Sequence, residues 1–153
     1  MKKIFSLFLV LCTLISVPAM SEFSCAAVSD EEASVFVEPR FNNVMSTTTA
    51  FAINDTGRAT VSVAYTGIQG VTTRVMCKTY IEKKVLGLFW TRVDLGNTND
   101  EWLDTSTELD DVFSHSVQLS SSGTYRAVYY IAVCGTNGDN DIIEETIEKK
   151  YSK

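Results

Sequence analysis

The only histidine in the chain, His115, limits the acid–base chemistry that its side chains can do. A Ser-His-Asp relay needs a hydroxyl within hydrogen-bond reach of the imidazole. Ser114 and Ser116 are its chain neighbours, and neighbours in a strand point to opposite faces. No Gly-x-Ser-x-Gly turn is present to expose a nucleophile. One histidine without a Cys-x-x-Cys pair also argues against a zinc site. Asn137, Asp139, Asp141 and Glu148 have the first, third, fifth and twelfth spacing of a calcium loop. Ile142 stands where that loop needs glycine, and a hairpin turn explains Asn137-Gly138-Asp139 without a metal. A second acidic stretch, Asp94, Asp100, Glu101, Asp104, Glu108, Asp110 and Asp111, reads as a solvated, like-charged surface. Glu108 and Asp110 could serve glycoside hydrolysis only across a cleft. Nucleophile, base and ligands are not assembled, so the expectation is a protein that is not an enzyme and takes no cofactor.

The four cysteines, Cys12, Cys25, Cys77 and Cys134, raise a different question. Lys2 and Lys3 precede an uncharged apolar run from Ile4 to Val17, and Ala19, Ser21, Ala26 and Ala27 follow it. That order is a secretory signal peptide, and the run is too short to span a bilayer. Cuts after Ala19, Ser21 or Ala26 all satisfy the small-residue rule. Only the last removes Cys12 and Cys25 together and leaves an even number of thiols, so residues 1–26 are assigned to the signal. Two lysines and one glutamate leave with it, and the net charge moves from −6 to −7. One domain's length of acidic chain remains, which excludes a multidomain enzyme and a basic nucleic-acid-binding face. A Cys77–Cys134 disulfide would close a long loop and suits an oxidising compartment. Strand parity opposes it: Cys77 shares a face with Val71 and Val75, whereas Cys134 shares one with Arg126, Val128, Tyr130 and Ala132. A bridge would need a bulge near Tyr129-Tyr130. Compartment and geometry disagree, and both outcomes stay open.

Residues 27–38 are acidic and weakly patterned, an arm leading into a domain over 39–153. From Met45 the chain alternates at period two, the signature of a strand with one buried face. Met45, Thr47, Thr49, Phe51 and Ile53 share a face, and Asn54-Asp55-Thr56-Gly57 turns the chain into Ala59, Val61, Val63 and Tyr65. Val71 to Glu82 alternates likewise. Val85 to Val93 is flatter, and its β-branched and aromatic content favours a strand. Short strands follow at Trp102–Ser106 and Val112–Leu119. Tyr125 to Val133 is the most apolar strand and the expected sheet centre. Asn137 to Asn140 turns into a last strand with Ile142, Ile143 and Ile147. No apolar stripe has helical spacing. Seven to nine short strands in one domain predict an all-β, antiparallel β-sandwich, with a small closed barrel as the competitor.

Gly123-Thr124-Tyr125 at the head of the strongest strand resembles the Gly-x-Tyr entry of immunoglobulin-like domains. The tyrosine hydroxyl there bonds back to the backbone at the corner. The usual inter-sheet cysteine pair is missing from the expected places. Glu38-Pro39-Arg40, Leu86-Gly87-Leu88-Phe89-Trp90, Leu119 to Arg126 and Tyr151-Ser152 are similar to an uncharacterised family of small secreted proteins from Gram-positive bacteria, a domain of unknown function. That resemblance implies an exported β domain and transfers no catalytic residue. Trp90 is expected to fill the sandwich core. Trp102 is the candidate binding residue, as an aromatic platform. The expected role is extracellular or cell-surface binding of a glycan or a protein, with a structural envelope-associated protein as the alternative and a secreted enzyme or inhibitor as the remoter one. No nucleic acid and no membrane span after signal cleavage are expected.

Overall fold

The computed structural model describes residues 41–153. The signal peptide and the acidic arm assigned above lie outside the described residues.

Among the described residues eight strands form two antiparallel sheets. The first sheet contains β1 (Val44–Ile53), β2 (Arg58–Gly67) and β6 (Asp110–Gln118), in the order β1-β2-β6. The second contains β3 (Thr72–Val85), β4 (Phe89–Arg92), β5 (Trp102–Ser106), β7 (Gly123–Gly135) and β8 (Asp141–Tyr151). Its order is β4-β3-β7-β8, with β5 also paired to β3. The sheets do not close into a barrel. The chain is a β-sandwich, as its short strands and period-two pattern predict. Among the described residues no helix is long and apolar enough to cross a membrane.

The core forms where the alternating apolar faces meet. Phe51, Ala59, Val61, Val63 and Tyr65 come from the first sheet, and Val75, Cys77, Ile81, Ala127, Tyr129, Ile131 and Val133 from the second. Burying a large apolar side chain stabilises by about 1.5–3 kcal/mol, so this layer dominates the fold's stability. Two tyrosine hydroxyls are satisfied within it. Tyr129 donates to the Ala50 carbonyl at 2.7 Å, tying β7 to β1 across the sandwich. Tyr125 donates to the Ser121 carbonyl at 2.6 Å, the corner contact that Gly-x-Tyr predicts.

Turn chemistry sets the strand registers. In the β1–β2 turn the Asn54 side-chain oxygen accepts from the Thr56 and Arg58 amides at 3.1 and 2.8 Å. Gly57 has φ of 81°, and a Cβ there would lie 2.7 Å from the Tyr151 hydroxyl oxygen. Both its conformation and the crowding require glycine.

The sequence reading is corrected at two places. Met45 does not share the face of Phe51: the register shifts between Val44 and Ser46, which buries Val44 and leaves Met45 exposed. The bulge reverses the alternation upstream of it. The Val85–Val93 run is not one strand either. The Leu88 amide donates to the Val85 carbonyl, and Leu86 and Gly87 between them have φ of 52° and 70°. β3 therefore folds back sharply into β4.

Candidate functional site

The inner faces of β3 and β7 are filled by the core, and their outer faces lie at the surface. Cross-strand register lays the outer side chains in rows. Lys84 faces Trp90; Arg92, Glu82, Arg126 and Glu148 form the next row; Tyr80, Val128 and Thr146 the one after; then Lys78, Tyr130 and Glu144. Arg126 donates to the Glu82 carboxylate at 2.6 Å, and its guanidinium lies 4.3 Å from the centre of the Trp90 ring. The Lys84 ammonium lies 5.3 Å from the same ring centre. Arg92 stacks on Tyr80 at 3.6 Å and reaches Glu101 at 3.1 Å. Planar guanidinium groups on aromatic faces are attracted to the ring quadrupole and hold the side chains in place. Beside this ladder Lys78, Tyr80, Val128, Tyr130, Glu144 and Thr146 line a shallow open pocket of about 330 Å³.

At one end of this face the β3–β4 turn presents Leu86, Leu88 and Phe89, which are 85%, 75% and 64% exposed. Leucine in the left-handed region costs roughly 1 kcal/mol relative to a residue suited to it. Asn-Gly is the sequence that satisfies such a turn. An apolar residue is thus held there at a cost, with its side chain in water.

The chain matches no protein-family model, and no curated protein is similar to it.

The residues singled out in the sequence fall elsewhere or act differently. Trp90 is not in the core: it stands half-buried on the outer face, because its partner across the hairpin, Lys84, points to solvent. Trp102 is not an open platform. It packs against the core edge, and the His115 ring stacks on it with centroids 5.0 Å apart and planes 6° from parallel. The His115 Nε2 lies 2.8 and 3.0 Å from the two Asp104 carboxylate oxygens. This Trp102–His115–Asp104 group joins β5 of one sheet to β6 of the other. Ser114 and Ser116 do not enter it: Ser114 faces the Val61 carbonyl, and the Ser116 hydroxyl accepts from Arg58.

The residues with calcium-loop spacing are dispersed. The Asp141 carboxylate accepts the backbone amides of Asn42, Asn43 and Val44 at 2.9, 2.7 and 3.1 Å. Glu148 lies far along β8, paired in register with Arg126. The other acidic residues have local tasks as well. Asp94 accepts the Gly96 amide and Asp100 the Leu95 amide. Among the described residues no three histidine, cysteine, aspartate or glutamate side chains converge to hold a metal.

The Cys77–Cys134 bridge does not form. Cys77 is a free, buried thiol, whereas Cys134 is disulfide-bonded. Cys77 is in register with Ile131 and faces the core, and Cys134, three residues further along β7, faces outward opposite Arg74. No bulge at Tyr129-Tyr130 changes that parity, because the β3–β7 register runs unbroken from Arg74 to Lys83. Burial pushes the Cys77 thiol up to about 11, against a smaller opposing effect of its 3.4 Å contact with Thr79. A thiol held protonated and out of solvent is chemically inert.

Proposed function

We propose that this protein is an exported, non-catalytic β-sandwich that binds a protein partner at or outside the cell surface. The contact is made through the β3–β4 end of the outer sheet face. The observation that carries this reading is the exposed Leu86-Leu88-Phe89 tip beside the Trp90–Arg126 stack. Tryptophan and arginine are enriched in interface cores, and apolar knuckles of this kind supply the anchors that fill partner pockets. The signal-like start of the chain and its resemblance to small secreted Gram-positive proteins support export. A glycan is the poorer fit, because a sugar stacks on an open ring face. Tyr80 already carries Arg92, and Trp90 carries Arg126 and Lys84.

The test is saturable binding of the fluorescently labelled mature protein to intact producing cells. Wild type is compared with the Leu88→Ser/Phe89→Ser double variant, on untreated and trypsin-treated cells. Binding should fall at least ~10-fold for the variant, the loss of about 1.4 kcal/mol or more of contact energy. It should also vanish after trypsin. Equal binding by both proteins rejects the tip as the contact. Trypsin-resistant binding rejects a protein partner in favour of lipid or cell-wall polymer.

A further inference from the structure

We propose that the protein partner carries an acidic rim around the pocket that receives the β3–β4 tip, and that Arg126 and Lys84, both held on the Trp90 ring, bind a carboxylate of that rim. This rests on the tip being a contact to a protein, and it names the chemistry of the partner's surface.

Charge is segregated along the sandwich, although the chain as a whole is acidic, with a net charge of −6. Lys83 and Lys84 stand where β3 reaches the tip. Lys83 pairs with Tyr125 and Tyr125 with Lys149, while Lys150 pairs with Thr124 one residue further out. The opposite end is acidic. Asp110 pairs with Thr66 where β2 finishes, and Asp141 pairs with Val133 where β7 finishes. Both lie beside the start of β3, because Thr72 crowds Gly67 and pairs with Gly135. A basic end on an acidic molecule turns that end toward a negatively charged surface and disfavours the reverse approach.

Two cations at the tip end are fixed in place with donors left over. The Arg126 guanidinium lies 4.3 Å from the Trp90 ring centre and donates from Nε to Glu82 at 2.6 Å. Among the described residues that is its one hydrogen bond, so its two terminal nitrogens stay open to an acceptor from outside. A guanidinium offers N–H groups in a rigid fork that matches the two oxygens of a carboxylate. The Lys84 ammonium lies 5.3 Å from the same ring centre and has no acidic partner among the described residues. Fixing both side chains before contact reduces the ordering entropy lost on binding. Trp90 follows Phe89, which is 64% exposed, so the carboxylate sits at the rim of the pocket that takes Leu88 and Phe89. Apolar anchors at the centre with polar contacts around them are the anatomy of a specific protein interface. Arg126 and Lys84 are also half-buried, the Arg126 side chain being 28% exposed. That suits one carboxylate fixed on a folded surface, whereas lipid phosphates are reached by long basic side chains free to extend.

The experiment extends the cell-binding assay with salt, with chemistry on the cell surface and with three variants. Raising the salt from roughly 50 to roughly 500 mM should weaken wild-type binding ~10-fold by screening the ion pairs. Amidating the cells with a water-soluble carbodiimide and ethanolamine neutralises carboxylates and leaves phosphates charged. It should weaken wild-type binding by a similar factor. Arg126→Gln should bind ~10-fold and Lys84→Gln ~3-fold more weakly, both with a shallower salt dependence, and Lys84→Arg should bind as wild type does. Unchanged binding by either glutamine variant, with Leu88→Ser/Phe89→Ser still defective, overturns the acidic rim and leaves the protein-contact reading intact. Binding that survives amidation, or equal binding to phosphatidylglycerol vesicles, overturns it in favour of phosphate. Trypsin-resistant binding, or no saturable binding, removes the protein-contact reading and this inference with it. Lys84→Gln breaks no hydrogen bond within the described fold, so it decides the matter even if Arg126→Gln does not fold.

Discussion

The two faces of the β3–β7 strand pair carry similar residue types and put them to opposite uses. Inward, Cys77 is an inert thiol, Tyr129 lends its hydroxyl to the opposite sheet, and Ile131 has no exposed surface. Outward, Cys134 is oxidised, Tyr130 borders an open pocket with Lys78, and Arg126 stacks on Trp90. Side chains one residue apart on one strand thus differ in whether their removal unfolds the protein or alters what it touches. The fold is held by one face, and the other carries the contact surface proposed above.

The alkaline limit of stability should separate the faces by a large effect. Burial raises the Cys77 pKa from 9.0 to about 11. The native state then holds that proton more tightly than the unfolded chain does. This contribution is fully present below the unfolded pKa and is lost as pH rises through the folded value. By linkage the loss approaches about 2–3 kcal/mol above the folded pKa. Urea unfolding near neutrality and near pH 11 should show a steeper alkaline fall for wild type than for Cys77→Val. The Tyr129 hydroxyl, whose pKa is also raised, by burial first and then by the neighbouring Glu145 and Cys77 charges, adds an alkaline slope of its own in both proteins, and removing Cys77 lessens it.

A smaller effect isolates one hydrogen bond. Tyr129→Phe keeps the ring and removes the donor to Ala50, and should cost about 1–2 kcal/mol in chemical denaturation. A neutral result would show that the hydroxyl does not tie the sheets together. The smallest effect has the opposite sign. Leu86→Asn places a residue suited to positive φ in the β3–β4 turn and should stabilise by about 0.5–1 kcal/mol. The same variant should weaken cell binding, because it removes an apolar anchor. Gain of stability together with loss of binding would show that the leucine is there for contact and not for folding.

Legibility in the sequence followed the physics of each element. The alternation of Ala59, Val61, Val63 and Tyr65 and of Val75, Cys77 and Ile81 reports directly which side chains are buried. The parity that places Cys77 and Cys134 on opposite faces could be read from the strands, and the structure decides for it over the compartment argument. Tyr125 could be read as a corner because its partner, Ser121, is local in the chain. Trp90 was misplaced because the turn ahead of it lacks Asn-Gly chemistry: Leu86 supplies the positive φ that asparagine or glycine normally would. With the turn set at Leu86-Gly87, Trp90 follows Lys84 to the outside. The stacking of Trp102 on His115 is not legible for a different reason, since His115 lies on the other sheet. The spacing of Asp141 matches a calcium loop, but its actual task is not legible in the sequence, because the amides it serves, on residues 42–44, are close only in the fold.

Substituting neighbouring tyrosines of β7 tests the division between the faces most directly. Tyr129→Ala and Tyr130→Ala remove the same side chain one residue apart, and urea unfolding of each at neutral pH compares their costs. Tyr129→Ala opens a cavity in the core and breaks the link to Ala50, so it should cost about 3–5 kcal/mol. Tyr130→Ala removes a half-buried ring from the outer face and should cost about 1 kcal/mol, leaving a folded sandwich. Equal losses for the two variants, or a larger loss at Tyr130, would contradict the account.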